Sequence, residues 1–160
     1  MAGDFLVKCN RGTNSRHKKF LMLAGNGSLR WCAKSSQINK ANKYQSCPMS
    51  EILGIFYGKK SQTLLKPYNK NLEPQKCLSI FLAKRTLDFY HDDVYKITKW
   101  VCVLSAETKK QNPSAVICSV GKSLWLRFKF RIQHLVFKNE KGGTFVKALL
   151  TIYKQSRAAS

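Results

Sequence analysis

The sequence predicts a mainly β domain that ends in one α-helix. Over the first two thirds of the chain, short segments rich in β-branched, aromatic and other apolar residues alternate with stretches of Gly, Asn, Pro and Ser, a pattern typical of short strands joined by turns. From Asp92 onward the apolar residues take up helical spacing instead. With 160 residues, 44% of them hydrophobic, the chain can bury a core and is too apolar to be a disordered basic tail.

The predicted strands are short, and turn signals separate them. Asp4–Cys9 precedes the polar stretch CNRGTNS, Arg16–Ala24 ends at AGNGS, and Leu29–Lys34 leads into the polar loop SSQINKANKYQS. Farther along, MSEILGIFYGKK is predicted as a strand with Gly54 inside it, and TLLKPYNKNLEPQK as a long loop. CLSIFLA and RTLDFYH follow as a hairpin pair. The prediction is therefore a sandwich or barrel of about seven strands.

The helix is predicted from Asp92 to Ala106. Two aspartates stand at its start, where the helix dipole favours negative charge. Its apolar residues form one stripe, so we expect Trp100 and Leu104 to be buried in the core. The stripe consists of Val94, Ile97, Trp100, Val101, Val103 and Leu104.

The charge of the chain is strongly unbalanced. Its 29 Lys and Arg residues against 8 Asp and Glu residues give a formal net charge of +21, which predicts a polyanionic partner: nucleic acid, an anionic lipid surface or an inositol phosphate headgroup. No run approaches the roughly 20 apolar residues of a transmembrane helix, and the first residues lack the apolar stretch of a secretory signal. We therefore expect a cytoplasmic protein without a transmembrane segment.

The residues that usually carry chemistry form no recognisable motif. The six cysteines contain no CxxC pair and have no close histidine, so we expect reduced thiols, no metal site and no cofactor. The three histidines are far apart and have no Ser or Cys partner in a readable motif. Catalysis is therefore the weakest functional class, and we expect a binding module rather than an enzyme.

The order of elements and several motifs resemble a pleckstrin homology (PH) domain, most closely the one at the N terminus of phosphoinositide-specific phospholipase C. CLSIFLAKRTLDFY followed by KWVCVL resembles that family's strand, RTLD turn, strand and tryptophan helix. MSEILGIFYGKKSQ resembles its middle strand and the loop after it. The resemblance implies that residues 1–106 form a bent seven-stranded sandwich closed at one end by the C-terminal helix.

The same resemblance implies a phosphate-binding site at the loop between the first two strands. Strand alternation places Arg16 and Lys18 on one face and His17 and Lys19 on the other, and two cations on one face can bridge neighbouring phosphates. Because Lys18 stands where the family has an arginine, the site favours a less selective reader of anionic lipid, or one for phosphatidic acid, over a stereospecific inositol phosphate site. The chain is thus predicted to be a peripheral membrane-targeting module on the cytosolic face of membranes. The expected phosphate ligands are Lys8, Arg11, Arg16, His17, Lys18, Lys19 and Lys34.

The rest of the chain is predicted as a linker, residues 107–122, and a basic extension, residues 123–160. LWLRFKF, KNEKGG and TFVKALL resemble the helix, loop and helix of the EF-hand that follows this domain in phospholipase C, but the loop lacks the alternating carboxylates that calcium needs. The extension supports a second hypothesis. If this segment is a strand, one alternating set of side chains would stack on bases and pair with phosphates, which makes a nucleic-acid or protein-interaction module the alternative function. These residues are Trp125, Arg127, Lys129 and Arg131.

Overall fold

The computed structural model of the protein describes residues 3–117. They form one eight-stranded sheet with the strand order β4-β3-β2-β1-β7-β6-β5-β8, antiparallel except where β8 pairs with β5. The strands are β1 (Asp4–Cys9), β2 (Arg16–Ala24), β3 (Ser28–Cys32), β4 (Gln45–Pro48), β5 (Gly54–Tyr57), β6 (Cys77–Phe81), β7 (Thr86–Tyr90) and β8 (Val116–Ile117). The helices are α1 (Gln62–Leu65) and α2 (Val94–Gln111), and short 3₁₀ turns lie at Ser35–Gln37, Met49–Glu51, Pro67–Asn69 and Pro74–Lys76.

The main core lies on one face of the sheet, which we call the inner face. Alternate residues of β1, β2 and β7 point to it, and Leu6, Leu21 and Phe89 are completely buried there. The helix α2 packs against β5 and β6. Its buried stripe follows the predicted helical spacing and consists of Ile97, Trp100, Val101 and Leu104.

Trp100 ties the helix to the first strand. Its side chain is completely buried, and its Nε1 donates to Asp4 Oδ2 at 3.2 Å. The same carboxylate oxygen accepts a bond from Lys99 Nζ at 2.7 Å. The Asp93 side chain caps the helix by accepting from the backbone N–H of Tyr95. Asp4 on β1 therefore accepts a hydrogen bond from the indole N–H of Trp100, the only polar group of that buried side chain.

The opposite face of the sheet, the outer face, is also covered. Residues 58–76, between β5 and β6, cross over it, and we call them the covering segment. Leu64 of this segment is completely buried in a small cluster with Cys9 and Cys77. The cluster gives the domain a second apolar layer on the outer side of β1 and β6.

Two of the predicted boundaries are wrong. The helix does not end at Ala106 but continues to Gln111, because ETKKQ favours helix, Thr108 is completely buried and Lys110 pairs with Glu107 at 2.6 Å. The chain then returns to the sheet as β8, where the Val116 N–H donates to the Leu53 carbonyl oxygen at 2.8 Å. Residues 107–117 therefore belong to the folded domain and not to a linker.

The strand prediction is correct in architecture and incomplete in number. β1 and β2 have the predicted bounds, whereas β3 is Ser28–Cys32 rather than Leu29–Lys34. The sequence did not predict β4 because its four residues, QSCP, stand at the end of a polar stretch. In the structure β4 pairs with β3, and Cys47 is buried. With β8 the described residues hold eight strands rather than seven. The predicted EF-hand-like segment lies outside residues 3–117.

The described cysteines are free and pack as small apolar side chains. Burial raises the pKa of Cys9 and Cys47 to about 11 and that of Cys77 to about 12. Since the thiolate is the reactive form, these thiols are chemically quiet at neutral pH. Within residues 3–117, no group of three His, Cys, Asp or Glu side chains is placed to hold a metal ion, and no helix is long and apolar enough to cross a bilayer.

We predict that Trp100→Ala lowers the free energy of unfolding by about 3 to 5 kcal/mol, because it leaves a cavity under α2. Val103→Ala, on a partly exposed position of the same helix, is the matched control and should cost far less. Urea denaturation followed by circular dichroism measures both. Equal losses for the two variants would contradict the role assigned to Trp100.

Candidate anion-binding site

Three loops meet at one end of the sheet, which we call the open end. Arg11 Nη1 donates to the Lys84 carbonyl oxygen at 3.3 Å and so joins the first loop to the β6–β7 turn. In the same turn, the Arg85 guanidinium carbon lies 5.9 Å from the centre of the Trp31 ring on β3. These contacts bring together segments that are far apart in the sequence. The three loops are residues 10–15, 33–44 and 82–85.

The pairing of β1 with β2 divides the predicted site between the two faces of the sheet. Lys8 is the register partner of His17, and alternation places Lys19 on this same inner face. Arg16 and Lys18 lie on the outer face. The predicted alternation is confirmed, but the consequence is that the five cations cannot converge on one ligand.

The inner face carries a compact group of cations. Lys8 is half-buried, and its pKa is lowered first by burial and then by the charges of Arg85 and Lys19. Its Nζ donates to Asn10 Oδ1 at 3.0 Å. We call Lys8, Lys19 and Arg85 the inner cluster. Arg85 and Lys19 are close enough to Lys8 for their charges to disfavour its ammonium ion.

The inner cluster has no carboxylate partner. Asp88 raises the pKa of Lys8, but this effect is smaller than the lowering by burial and by Arg85 and Lys19. Asp88 lies on the outer face, buried, where it accepts bonds from Ser79 Oγ at 2.8 Å and Thr86 Oγ1 at 2.7 Å. None of the ion pairs within residues 3–117 includes a member of the inner cluster. The site therefore holds positive charge that an anion would neutralise.

A shallow cleft of about 240 Å³ adjoins the inner cluster. Its lining includes Lys19 and Trp31 from β2 and β3, and Lys43, Tyr44 and Gln45 from the β3–β4 loop and the start of β4. Trp31 Nε1 donates to Gln45 Oε1 at 2.7 Å, which holds the β3–β4 loop against the strand. Two lysines, Lys19 and Lys43, therefore contribute to the lining of the cleft.

Arg16 has a structural role on the outer face. Its Nε donates to Asn69 Oδ1 at 3.0 Å and its Nη2 to the Tyr68 carbonyl oxygen at 2.6 Å. Its guanidinium carbon also lies 4.6 Å and 5.5 Å from the ring centres of Tyr68 and Tyr90. Lys18 Nζ lies 5.0 Å from the centre of the Phe5 ring. The structure therefore does not bring Arg16 and Lys18 into the inner cluster.

The remaining predicted ligands lie at the rim of the open end. Arg11, His17 and Lys34 are exposed, and Lys34 is the residue that precedes the 3₁₀ turn of the β3–β4 loop. Sequence reasoning missed Arg85 and Lys43. The two adjacent basic residues of the KR turn between β6 and β7 were a usable signal for Arg85, whereas nothing in the polar loop sequence distinguishes Lys43 from its neighbours.

Solved structures of low sequence identity share this architecture. No protein-family model matches the sequence, and neither does any curated protein sequence. The PH domain of human oxysterol binding protein-related protein 11 aligns with a TM-score of 0.51 and 12% identity, over 76% of this chain and 90% of that one. The N-terminal PH domain of human ARAP2 aligns with a TM-score of 0.51 and 14% identity, over 75% and 89%.

A longer protein, PLC21 of L. pealei, aligns with a TM-score of 0.52 and 16% identity. The match covers 68% of this chain but only 15% of PLC21. At these identities the likeness concerns the fold alone. With a helix-capped sheet and three loops gathered at its open end, the described part of the chain has a PH-like fold.

Proposed function

We propose that the chain is a membrane-targeting module that binds the phosphate groups of anionic phospholipids at the open end. The observation that carries the proposal is the inner cluster, in which three cations lie together without a carboxylate. Burial is the main reason for the lowered pKa of Lys8, and an anion bound there would offset the additional repulsion from Arg85 and Lys19. Charge-assisted hydrogen bonds to phosphate are among the strongest that lysine and arginine form.

The first loop is organised to assist this binding. Its ends are closed by a bond from the Asn10 N–H to the Ser15 carbonyl oxygen at 3.1 Å, and Asn10 Nδ2 donates to Ser15 Oγ at 2.9 Å. The residues between them, including Arg11 and Gly12, are exposed. A pre-closed loop loses little entropy when its backbone N–H groups turn toward a ligand.

The composition of the site favours a class of lipid over a single isomer. Two of the three inner-cluster residues are lysines, which act as compact point charges rather than as bidentate forks. The large positive charge of the chain adds attraction to any anionic membrane surface, with about 1 kcal/mol for each basic residue near it. We therefore propose phosphatidic acid and phosphoinositides as the lipids and the cytosolic membrane face as the location.

The alternative function, nucleic-acid or protein binding through the extension, rests on Trp125, Arg127, Lys129 and Arg131, which lie outside the described residues. Both hypotheses predict release by salt. Location distinguishes them, because lipid binding should perturb the NMR signals of the first loop and the inner cluster. Perturbation by single-stranded RNA confined to residues 125–131, with the open end silent for vesicles, would favour the alternative.

We predict that Lys19→Met weakens binding to vesicles of phosphatidylcholine with phosphatidic acid more than Lys18→Met does. The two lysines are adjacent on β2 but lie on opposite faces, so both variants lose the same diffuse attraction to the surface. Only the Lys19→Met variant would also lose a charged hydrogen bond to the lipid phosphate. Such a bond is worth about 1.5 to 3 kcal/mol, which corresponds to roughly tenfold or more in affinity. Co-sedimentation measures both, and equal losses would contradict the assigned site.

We predict that Lys8→Met raises the thermal midpoint of unfolding at neutral pH while weakening the same vesicle binding. A lysine whose pKa is lower in the folded than in the unfolded state destabilises the fold while it is charged in both states. This cost begins to fall as the pH reaches the folded pKa and is gone once the pH exceeds the unfolded pKa. The gain from Lys8→Met should therefore shrink at alkaline pH. A variant that is less stable at neutral pH and binds normally would contradict this interpretation of the inner cluster.

A further inference from the structure

The covering segment combines an anchored side with an exposed side. Within the segment, Leu64 is completely buried against the sheet. The next residue, Leu65, is 62% exposed, and Tyr68 is 46% exposed. Scattered apolar residues on a surface are common and mean little by themselves. What distinguishes this pair is the charge around it and the rigidity with which it is held.

The charge of the covering segment is almost entirely positive. Its single acid, Glu73, is paired with Lys76 at 2.6 Å. The exposed apolar pair therefore lies within a basic surface, the arrangement found where proteins enter the interface of an anionic bilayer. The basic residues of the segment are Lys59, Lys60, Lys66, Lys70 and Lys76.

The segment is fixed to the first loop and to β2. Lys66 Nζ donates to the Arg11 carbonyl oxygen at 2.5 Å, and Arg16 holds Tyr68 by its carbonyl oxygen and its ring. Inside the segment, Asn69 Nδ2 donates to the Thr63 carbonyl oxygen at 2.7 Å. Leu65 and Tyr68 are thus presented beside the first loop by a preformed surface, so that little ordering entropy would be lost on contact.

We infer that the covering segment is a second membrane contact, in which Leu65 and Tyr68 enter the headgroup region of an anionic bilayer and the exposed Lys60 and Lys70 face its phosphates. The inference rests on the proposed function, because the open end would bring the domain to the same bilayer. Leucine gains from leaving water, and tyrosine is suited to the interface because its ring is apolar and its hydroxyl is polar. Long lysine side chains can reach the phosphates while their stems cover apolar surface.

Leu53 provides a matched control. It is 50% exposed and lies just before β5, at the end of the sheet that also carries the β6–β7 turn, but next to β8 rather than beside β1 and β2. Leu65→Ser and Leu53→Ser therefore place the same uncharged polar change on two exposed positions of the same domain. Circular dichroism and thermal unfolding of each variant establish that both are folded.

The inference predicts that Leu65→Ser weakens partition onto vesicles of phosphatidylcholine and phosphatidic acid by about tenfold, while Leu53→Ser retains nearly the parent affinity. Loss should be larger at high salt, where the apolar contribution carries more of the binding. Equal affinities of the two variants, with the parent protein still bound to anionic vesicles, would overturn the inference and leave the proposed function standing.

A second measurement tests the insertion itself. Leu65→Trp should gain tryptophan quenching by brominated lipids in bound vesicles relative to the parent protein, and Leu53→Trp should not. Normal vesicle binding without added quenching at position 65 would overturn insertion, and it would indicate instead a surface for an acidic protein partner. If the parent protein does not bind anionic vesicles at all, the proposed function fails and this inference fails with it.

Discussion

The antiparallel pairing of β1 with β2 is the constraint on which both faces of the domain depend. Its register places Lys8 and Lys19 on the inner face and Arg16 and Lys18 on the outer face. A shift by one residue would exchange these sets and would also expose Leu6 and Leu21, which are completely buried. The same hydrophobic pattern that forms the core therefore determines where the cations lie. The proposed anion binding at the open end would in this sense be a consequence of core packing.

The cations of the two faces have different physical roles. On the outer face, Arg16 donates two hydrogen bonds to the covering segment and lies against two tyrosine rings, so it secures that segment. On the inner face, Arg85 and Lys19 repel Lys8, and the carboxylate of Asp88 accepts hydrogen bonds from two hydroxyl groups on the outer face. The fold tolerates this repulsion because Trp100 and the rest of the α2 stripe bury a large apolar surface. Binding sites commonly keep charges that lower the stability of the free protein, because those charges are needed to bind the ligand.

Local patterns predicted most of the architecture from the sequence. Alternation and turn signals were sufficient for β1 and β2, and helical spacing was sufficient for the buried face of α2. What failed depends on contacts between distant residues. β8 exists because it pairs with β5, and the roles of Arg16 and Arg85 follow from Tyr68 and Trp31, each more than fifty positions away in the chain. No periodicity within the strand that carries Arg16 indicates whether its guanidinium faces a ligand or a tyrosine.

The most direct test of the central claim is the pKa of Lys8 Nζ, measured by NMR with and without saturating inositol trisphosphate. In the free protein it should lie below the ordinary lysine value, because burial and the charges of Arg85 and Lys19 disfavour the ammonium ion. With the anion bound beside the inner cluster, the pKa should rise, since the added negative charge favours the protonated form. A pKa of Lys8 that is the same in the free and saturated protein would contradict the account.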